Sequence, residues 1–388
     1  MRIGFACPVS LQRLRHLVDN GESLPPGYQF APSADWIQEL MKRGHDVTVY
    51  TTATEIDRAI TFRGSGISIR IARARASGKG RDFFAFEREQ LKHMMMEDRC
   101  EIIHAHWTYE FALAALASGI PTLTTIHDLP WNVLRYYRDL YRVTRLLMAY
   151  EVAIRGRHFT AVSNDAASHF RHYLKPGASI TVIPNGLGDA VFELNNRPNR
   201  KLSGIAFATI LQGWSRRKNA EAAIKAFRIV RQSEPGSQLL MFGFDYEPGG
   251  PAQRWASERG LAEGITFVGA LPYQELLQRV SKEADVVLHP SLEESFSMAA
   301  IEGMALRKPV IAGSLTPGVR EVLGFGKNGV LVDVRKTGAI AKAMQQFVKD
   351  VDYRNEVAQS GFDRASSLYR LKAVMSRYEE MYGTILGS

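Results

Sequence analysis

Two glutamates in the last third of the chain stand in a pattern that suits ligand binding. Glu294 and Glu302 are separated by seven residues and follow the apolar run from Val286 to His289, which predicts a buried strand. Pro290-Ser291 ends that strand, and small and apolar residues beyond Glu294 predict a helix. Such a strand, loop and helix start form a corner at the carboxyl edge of a parallel sheet, where free N–H groups bind anions. We therefore expect a ligand site here; the alternative is a surface turn with two solvated acids.

A basic loop earlier in the chain has the composition of a phosphate site. Arg216, Arg217 and Lys218 follow a predicted strand from Ala206 to Leu211 and precede a predicted helix. Arginine presents a fork of donors that matches paired oxygens, and lysine acts as a point charge. Cations at this place would bind the paired oxygens of an anion, whereas the alternative is a solvated basic surface.

Three histidines follow or lie within predicted strands. His127 comes directly after the strand from Thr122 to Ile126, where it would hydrogen-bond a ligand or simply end the strand, and Asp128 beside it would orient the ring. His104 and His106 are alternate residues of one strand and therefore share a face. Because no third ligand stands at a zinc spacing, we predict a packed histidine pair and no metal site.

The composition excludes several classes of protein. The 388 residues are too many for one ordinary core, so two domains are expected. The net charge of +9 suits an anionic substrate, an anionic membrane surface or nucleic acid, without choosing among them. Cys7 and Cys100 are the only cysteines, which favours the cytoplasm over an oxidising compartment. No long uncharged apolar run predicts a membrane span, and peripheral contact with a membrane stays open.

Strand and helix patterns alternate along the whole chain, which predicts βαβ units and parallel sheets with helices on both faces. The polar stretch 195–200 interrupts the alternation and is interpreted as an interdomain linker. After Gly361 the chain ends in an amphipathic stretch, 368–385, whose Met and Tyr stripe is interpreted as core packing. Ligands are expected in the cleft between two such halves.

Several segments resemble, in the same order, the retaining nucleotide-sugar glycosyltransferases of the GT-B fold, the "group 1" family that is glycosyltransferase family 4-like. The six segments are Lys42–Val49, Thr125–Asp128, Val182–Gly186, Gly213–Asn219, Phe267–Gly269 and the corner 286–313.

The resemblance implies an α/β protein with two Rossmann-like, doubly wound domains that face a central cleft. Residues 1–194 would form the acceptor domain, residues 201–365 the nucleotide-sugar donor domain, and a C-terminal helix within 366–388 would return to the first domain. The implied reaction moves a sugar, with retention, from a nucleotide-diphosphate sugar to a hydroxyl of a glycan, a lipid-linked glycan or a small molecule. It needs no cofactor and no metal, and no nucleic acid partner is expected.

The resemblance also assigns roles to residues. It implies that His127, Glu294, Lys218 and Arg217 are catalytic, with the leaving phosphate oxygen taking the acceptor proton. The implied donor-binding residues, with Glu302 at the ribose, are Glu302, Ser295, Phe296, Ser297, Met298, Gly213 and Gly269.

The chain departs from the family pattern at two places. Gly213 and Lys218 stand one residue closer than in the family, so either Arg216 or Arg217 takes the arginine's role, and Arg217 is preferred. Ser295 and Ser297 replace glycines of the donor loop, which affects the donor-sugar contacts. Two other functions therefore remain: a sugar-nucleotide-binding protein without turnover, and a basic GT-B protein that binds membrane or nucleic acid. The nucleotide base, the sugar and the acceptor leave no trace in the sequence.

Overall fold

The computed structural model describes residues 1–28, 30–194 and 204–387, and it divides into two compact units. Unit 1 comprises Met1–Gly186 with Leu371–Ser388, and unit 2 comprises Leu187–Arg370. The predicted linker, 195–200, lies outside the described residues.

Residues 187–194 and 366–370, which the sequence suggested for the first domain, pack in unit 2. The reason is that the two ends of unit 2 are joined: the N–H of Leu187 donates to the carbonyl of Tyr369 at 2.8 Å, and Arg370 pairs with Asp189 at 2.8 Å.

Unit 1 is built on an eight-stranded sheet with the order β3-β4-β2-β1-β5-β6-β7-β8. Its strands are β1 (Arg2–Ala6), β2 (Asp46–Ala53), β3 (Ile60–Gly64), β4 (Ile67–Arg73), β5 (Ile102–His106), β6 (Thr122–Ile126), β7 (His158–Ala161) and β8 (Ile180–Val182). The α-helices of unit 1 that precede unit 2 in the chain are α1 (Ala31–Lys42), α2 (Ala85–Asp98), α3 (Glu110–Ser118), α4 (Pro130–Tyr136), α5 (Leu140–Arg155) and α6 (Asn164–Tyr173).

The expectation of a wholly parallel sheet is wrong at one edge of unit 1. Strand β3 pairs antiparallel with β4, with Ile60 opposite Ile71 and Gly64 opposite Ile67. A turn of two residues joins them, which is the connection of a β-hairpin. The other strand pairs of this sheet are parallel, as βαβ connections require.

Unit 2 has a six-stranded parallel sheet with the order β11-β10-β9-β12-β13-β14. The strands are β9 (Ala206–Ile210), β10 (Gln238–Phe242), β11 (Ile265–Gly269), β12 (Val286–His289), β13 (Val310–Gly313) and β14 (Val330–Val332). The helices are α7 (Asp189–Glu193), α8 (Ala220–Ser233), α9 (Pro251–Ser257), α10 (Tyr273–Glu283), α11 (Met298–Ala305), α12 (Val319–Val322), α13 (Thr337–Lys349) and α14 (Val351–Leu368). This strand order is that of a doubly wound dinucleotide-binding sheet, whose direction of winding reverses between β9 and β12.

The last helix, α15 (Leu371–Leu386), completes unit 1. Its apolar side chains join the core formed by β1, β2 and α1, which confirms that the C-terminal helix returns to the first domain and that its stripe is core packing. The buried residues of this helix are Leu371, Val374, Met375, Tyr378, Tyr382 and Ile385. Within the described part of the chain, no helix combines the length and the apolar character needed to cross a bilayer.

Candidate active site

The corner singled out from the sequence lies at the point where the sheet of unit 2 reverses its winding. Strands β9 and β12 are neighbours, with Val287 opposite Ala208, so the loops that follow them meet at one edge. The loops are tied directly, because the N–H of Leu292 donates to the carbonyl of Arg217 at 2.8 Å. Residues separated by more than seventy positions in sequence are thereby held together.

The centre of this corner is an ion pair between the predicted site residues Lys218 and Glu294. The Lys218 Nζ atom donates to Glu294 Oε1 at 2.6 Å, and His289 Nε2 lies 3.5 Å from the same oxygen. Burial opposes ionisation of Glu294, but the charge of Lys218, followed by His289 and Arg217, outweighs it and holds the pKa of this carboxyl well below its usual range. Glu294 is therefore an ionised acceptor of hydrogen bonds at neutral pH.

Arg217 lies at the same pair, whereas Arg216 does not. Arg217 Nη2 is 3.7 Å from Glu294 Oε2, and its Nε donates to Glu293 Oε2 at 2.5 Å. Arg216 lines a separate pocket together with Lys225 and other residues at the start of α8. Glu293, which no sequence pattern singled out, is buried and anchors the arginine.

The donor loop leads into helix α11 through Ser297. The Ser297 side chain accepts the N–H of Ala300 at 3.1 Å, which is the bond of an N-cap residue. Met298 is the first residue of the helix, Ser295 is half-buried, and Phe296 packs edge-on against Tyr369 at 5.8 Å between ring centroids. One of the two serines that replace glycine thus fixes the helix start.

Glu302 occupies a different environment on the same helix. Its side chain is buried, and Tyr273 Oη donates to Glu302 Oε1 at 2.9 Å. Burial raises the pKa of this carboxyl to about 7, with the Tyr273 hydrogen bond acting in the opposite direction. Tyr273 belongs to α10 and was not foreseen from the sequence.

The two predicted donor-site glycines adopt left-handed backbone conformations. Gly213 and Gly269 both have φ of +84°, a region that favours glycine. A Cβ atom on Gly269 would lie 2.9 Å from the Cβ of Glu247, so a side chain at this position would clash. Gly269 is the last residue of β11, and Gly213 follows the end of β9 in the loop that leads to Lys218.

The predicted histidine of unit 1 belongs to a buried aromatic cluster. His127 Nε2 shares a hydrogen bond of 2.8 Å with His106 Nδ1, and its ring stacks on Trp107 at 4.4 Å and on Trp36 at 6.1 Å. Burial lowers the pKa of His127 to about 3 and that of His106 well below its usual value, so both are neutral. The contact follows from pairing of β5 with β6, in which His106 lies opposite Thr125.

His104, on the same strand as His106, uses both of its ring nitrogens in internal hydrogen bonds. His104 bonds Tyr382 Oη and Thr125 Oγ1, each at 2.7 Å, as expected of a packed histidine. Burial, followed by the charge of Asp128, raises the pKa of Tyr109, so the carboxyl beside His127 acts on that phenol. Residues 1–28, 30–194 and 204–387 include no group of His, Cys, Asp and Glu that would hold a metal ion.

Comparisons with known proteins cover both units. Residues 196–364 match the family model "Glycosyl transferases group 1", and residues 34–189 match "Glycosyltransferase Family 4". A D-inositol 3-phosphate glycosyltransferase of Paenarthrobacter aurescens is 26% identical over 84% of this chain and 86% of its own. An N-acetyl-alpha-D-glucosaminyl L-malate synthase of Bacillus anthracis is 22% identical over 76% of this chain and 78% of its own.

Solved structures show the same fold. Sucrose-phosphate synthase from Thermosynechococcus elongatus matches with a TM-score of 0.81 at 19% identity, over 100% of this chain and 99% of that one. HepE of Anabaena, in complex with UDP-glucose, matches with a TM-score of 0.72 at 17% identity, over 99% and 100% of the two chains. With both family models matched in sequence order on two Rossmann-like units, the chain belongs to the group 1 glycosyltransferases and is a transferase of the GT-B fold.

Proposed function

We propose that this protein is a retaining glycosyltransferase that transfers a sugar from a nucleoside diphosphate sugar to a hydroxyl acceptor. The observation that carries the proposal is the Lys218–Glu294 ion pair, with Arg217 beside it, in which Glu294 belongs to the loop that leads into helix α11. Two cations and a helix N-terminus are the groups that a departing diphosphate requires, and an ionised carboxylate is the group that accepts hydrogen bonds from sugar hydroxyls.

The donor would bind at the carboxyl edge of the unit 2 sheet. As the bond between the anomeric carbon and the phosphate oxygen breaks, negative charge grows on the diphosphate, and Arg217 and Lys218 stabilise it. Ser297 accepts the N–H of Ala300, while the N–H groups that precede it in an α-helix have no partner within the helix and are available to phosphate oxygens. Glu294 orients the sugar through its hydroxyls.

Glu302 would bind the ribose of the nucleotide. A carboxylate accepts hydrogen bonds from two neighbouring hydroxyls, and the ionised form does so more strongly than the acid. Because burial raises the pKa of Glu302 to about 7 in the protein alone, ribose binding and loss of its proton would be coupled.

His127 would serve the acceptor reaction as a neutral group. With a pKa lowered to about 3 by burial, it gives or accepts a hydrogen bond without adding charge. The acceptor hydroxyl forms the new bond to the anomeric carbon on the face that the diphosphate leaves. Its proton passes to the leaving phosphate oxygen, so the configuration is retained and no enzyme nucleophile is needed.

The named relatives guide the choice of substrates. Structures of HepE have been solved in complex with UDP and with UDP-glucose, which makes UDP-glucose the first donor to test. The names of two relatives contain inositol 3-phosphate and malate, so small hydroxylated anions join glycans and lipid-linked glycans as candidate acceptors. The net charge of +9 agrees with anionic substrates.

A thermal-shift panel tests the donor site. UDP, GDP, ADP and dTDP, with and without their sugars, are compared on the wild type, on Glu302→Gln and on the matched control Glu283→Gln, which lies on α10 and pairs with Arg279. A ligand that binds the native state raises the melting temperature. We expect one nucleotide to shift the wild type and the control but not Glu302→Gln. A well-folded wild type that no nucleotide shifts would contradict the proposal.

The replacement of two loop glycines by Ser295 and Ser297 keeps one alternative under test, a protein that binds the donor without turning it over. Incubation of the selected donor with acceptor pools, followed by NMR of the product's anomeric proton, separates the two. A product with the donor's configuration supports retaining transfer, an inverted product contradicts retention, and donor binding with no product favours the binding protein.

A further inference from the structure

Helix α5 of unit 1 carries apolar side chains on the face where a surface helix ordinarily carries polar ones. Leu140 is 85% exposed, Val143 38%, Leu147 48% and Ile154 78%. At about 100° per residue these four positions form one stripe along the helix. We call them the α5 stripe.

The stripe lies opposite the side of α5 that packs into unit 1. The buried residues Leu146, Met148, Ala149, Val152 and Ala153 define the inner side. On the helical projection their centre lies about 160° from that of the stripe. The helix thus has two apolar faces, of which the described structure covers one, and four large exposed apolar side chains in a row mark an interaction surface.

The sequence around the α5 stripe is rich in arginine. Residues 135–157 contain six arginines and two acids, and one of the six, Arg145, pairs with Glu110 at 3.5 Å outside this range, which leaves a surplus of three positive charges. Both acids are engaged within the helix region: Asp139 pairs with Arg142 at 3.0 Å, and Glu151 with Arg155 at 2.8 Å. The other exposed arginines of this region are Arg135, Arg138 and Arg157.

A neighbouring turn extends the same surface. The Thr144 hydroxyl of α5 donates to the carbonyl of Gly80 at 3.1 Å, which fixes the turn Lys79–Asp82 against the helix. Arg81 of this turn and the adjoining Phe83 are both exposed. Apolar and basic side chains are therefore mixed over the turn as well as over the helix.

We propose that the α5 stripe and its arginines form a docking surface for an anionic lipid bilayer, with α5 lying in the plane of the interface. Leucine, valine and isoleucine would enter the boundary of the acyl chains while the arginines meet anionic headgroups, the arrangement of interfacial amphipathic helices. A second copy of the chain fits less well, because two surfaces with the same surplus of positive charge repel each other. Nucleic acid would meet the arginines but would leave the stripe exposed to water.

Vesicle flotation tests this surface on the full chain. The wild type is mixed with vesicles of phosphatidylcholine alone or of phosphatidylcholine with phosphatidylglycerol, at low and high salt. We expect binding to the anionic vesicles that weakens with salt, and little binding to the neutral ones.

Two pairs of variants separate the stripe from the charges. The stripe variant Leu140→Gln/Ile154→Gln has the matched control Leu315→Gln/Val351→Gln, which changes two exposed apolar residues of unit 2. The charge variant Arg138→Gln/Arg157→Gln has the matched control Arg228→Gln/Arg259→Gln, also in unit 2. All positions are on the surface, so the melting temperatures should stay unchanged.

Affinity for the anionic vesicles should fall roughly tenfold or more in the stripe variant, and about fivefold per arginine in the charge variant, with both controls like the wild type. A wild type that does not float, or stripe and charge variants that float like it, would overturn the proposal. A concentration-dependent dimer in sedimentation that the stripe variant abolishes, without vesicle binding, would also overturn it in favour of a second copy. Nucleotide binding measured on the same samples should be unchanged, which keeps this test independent of the donor site.

Discussion

The predicted catalytic residues of unit 2 are charged, whereas the predicted histidine of unit 1 is neutral. In unit 2, Lys218 and Arg217 lie against Glu294 and Glu293, so the corner is a network of full charges with little exposure to water. In unit 1, burial among aromatic rings keeps His127 neutral. The difference indicates that this protein concentrates charge where a diphosphate is expected to leave and excludes it from the histidine cluster, where neutral hydrogen bonds suffice.

The largest effect is expected when the charged network is broken at Lys218. Lys218→Met should lower kcat about 100- to 1,000-fold, because a cation at the leaving diphosphate is lost, and should destabilise the fold by about 3 kcal/mol, because Glu294 keeps its buried charge with fewer partners. Steady-state kinetics and urea unfolding measure the two effects. Lys225→Met, at a half-exposed lysine of the neighbouring helix α8, is the control and should change neither. If Lys218→Met kept nearly the wild-type kcat, Lys218 would not stabilise the leaving diphosphate.

Glu302 differs from Glu294, since it is a buried acid that forms no ion pair with the cations of residues 1–28, 30–194 and 204–387. Its pKa of about 7 in the folded protein exceeds the ordinary value of 4.5, so the native state binds the proton more tightly than the unfolded state. The resulting stability is fully present below pH 4.5 and is lost as the pH rises through about 7, a change of about 3 kcal/mol. Urea unfolding between these pH values should show this slope in the wild type and not in Glu302→Gln. Parallel slopes in the two proteins would contradict the assignment.

The neutral cluster is tested at His106, which we regard as a positioning residue for His127. His106→Leu removes the hydrogen bond to His127 and should lower kcat about tenfold, as expected for a loss of 1 to 2 kcal/mol in orienting the ring. His106→Asn places a polar atom near the position of Nδ1 and should restore most of kcat. Equal kcat in the two variants would show that packing, and not the hydrogen bond, holds His127.

The smallest effect is expected at Tyr273. Tyr273→Phe removes one hydrogen bond to Glu302, and we expect nucleotide affinity to fall about fivefold. Since that bond favours the ionised carboxyl, its loss should move the pH dependence of nucleotide binding to higher pH. Titration calorimetry at several pH values measures both. If Tyr273→Phe kept the nucleotide affinity and the pH dependence of the wild type, Tyr273 would have no role in nucleotide binding.

The parts of the fold that the sequence predicted well are those with strong local patterns. The strands Thr122–Ile126 and Val286–His289 were predicted residue for residue, because each is a short run rich in β-branched and apolar residues that ends at a polar loop. The short distance between Lys218 and Glu294 could also be predicted, because both residues follow parallel strands whose carboxyl ends share one edge of the sheet. The hairpin of β3 and β4 was missed, although alternation in Ile60–Gly64 and Ile67–Arg73 was its signal.

Contacts between distant elements could not be predicted in this way. The bond of Tyr273 to Glu302 depends on how α10 packs beside α11, and the bond of His106 to His127 depends on the register of β5 against β6. Neither packing nor register leaves a local pattern in one sequence. The raised pKa of Glu302 and the lowered pKa of His127 result from burial by this packing, so they could not be predicted from the sequence either.

The return of α15 to unit 1 has a consequence for folding during synthesis. Six buried side chains of the unit 1 core, among them the Tyr382 phenol that bonds His104, come from residues made after all of unit 2. Domains ordinarily fold in the order in which they leave the ribosome. Here unit 2 can reach its final structure before unit 1 does. Although unit 1 is translated first, its core is incomplete until the last helix, α15, has been made. Chaperones would therefore meet a nascent chain whose exposed apolar surface lies near its beginning.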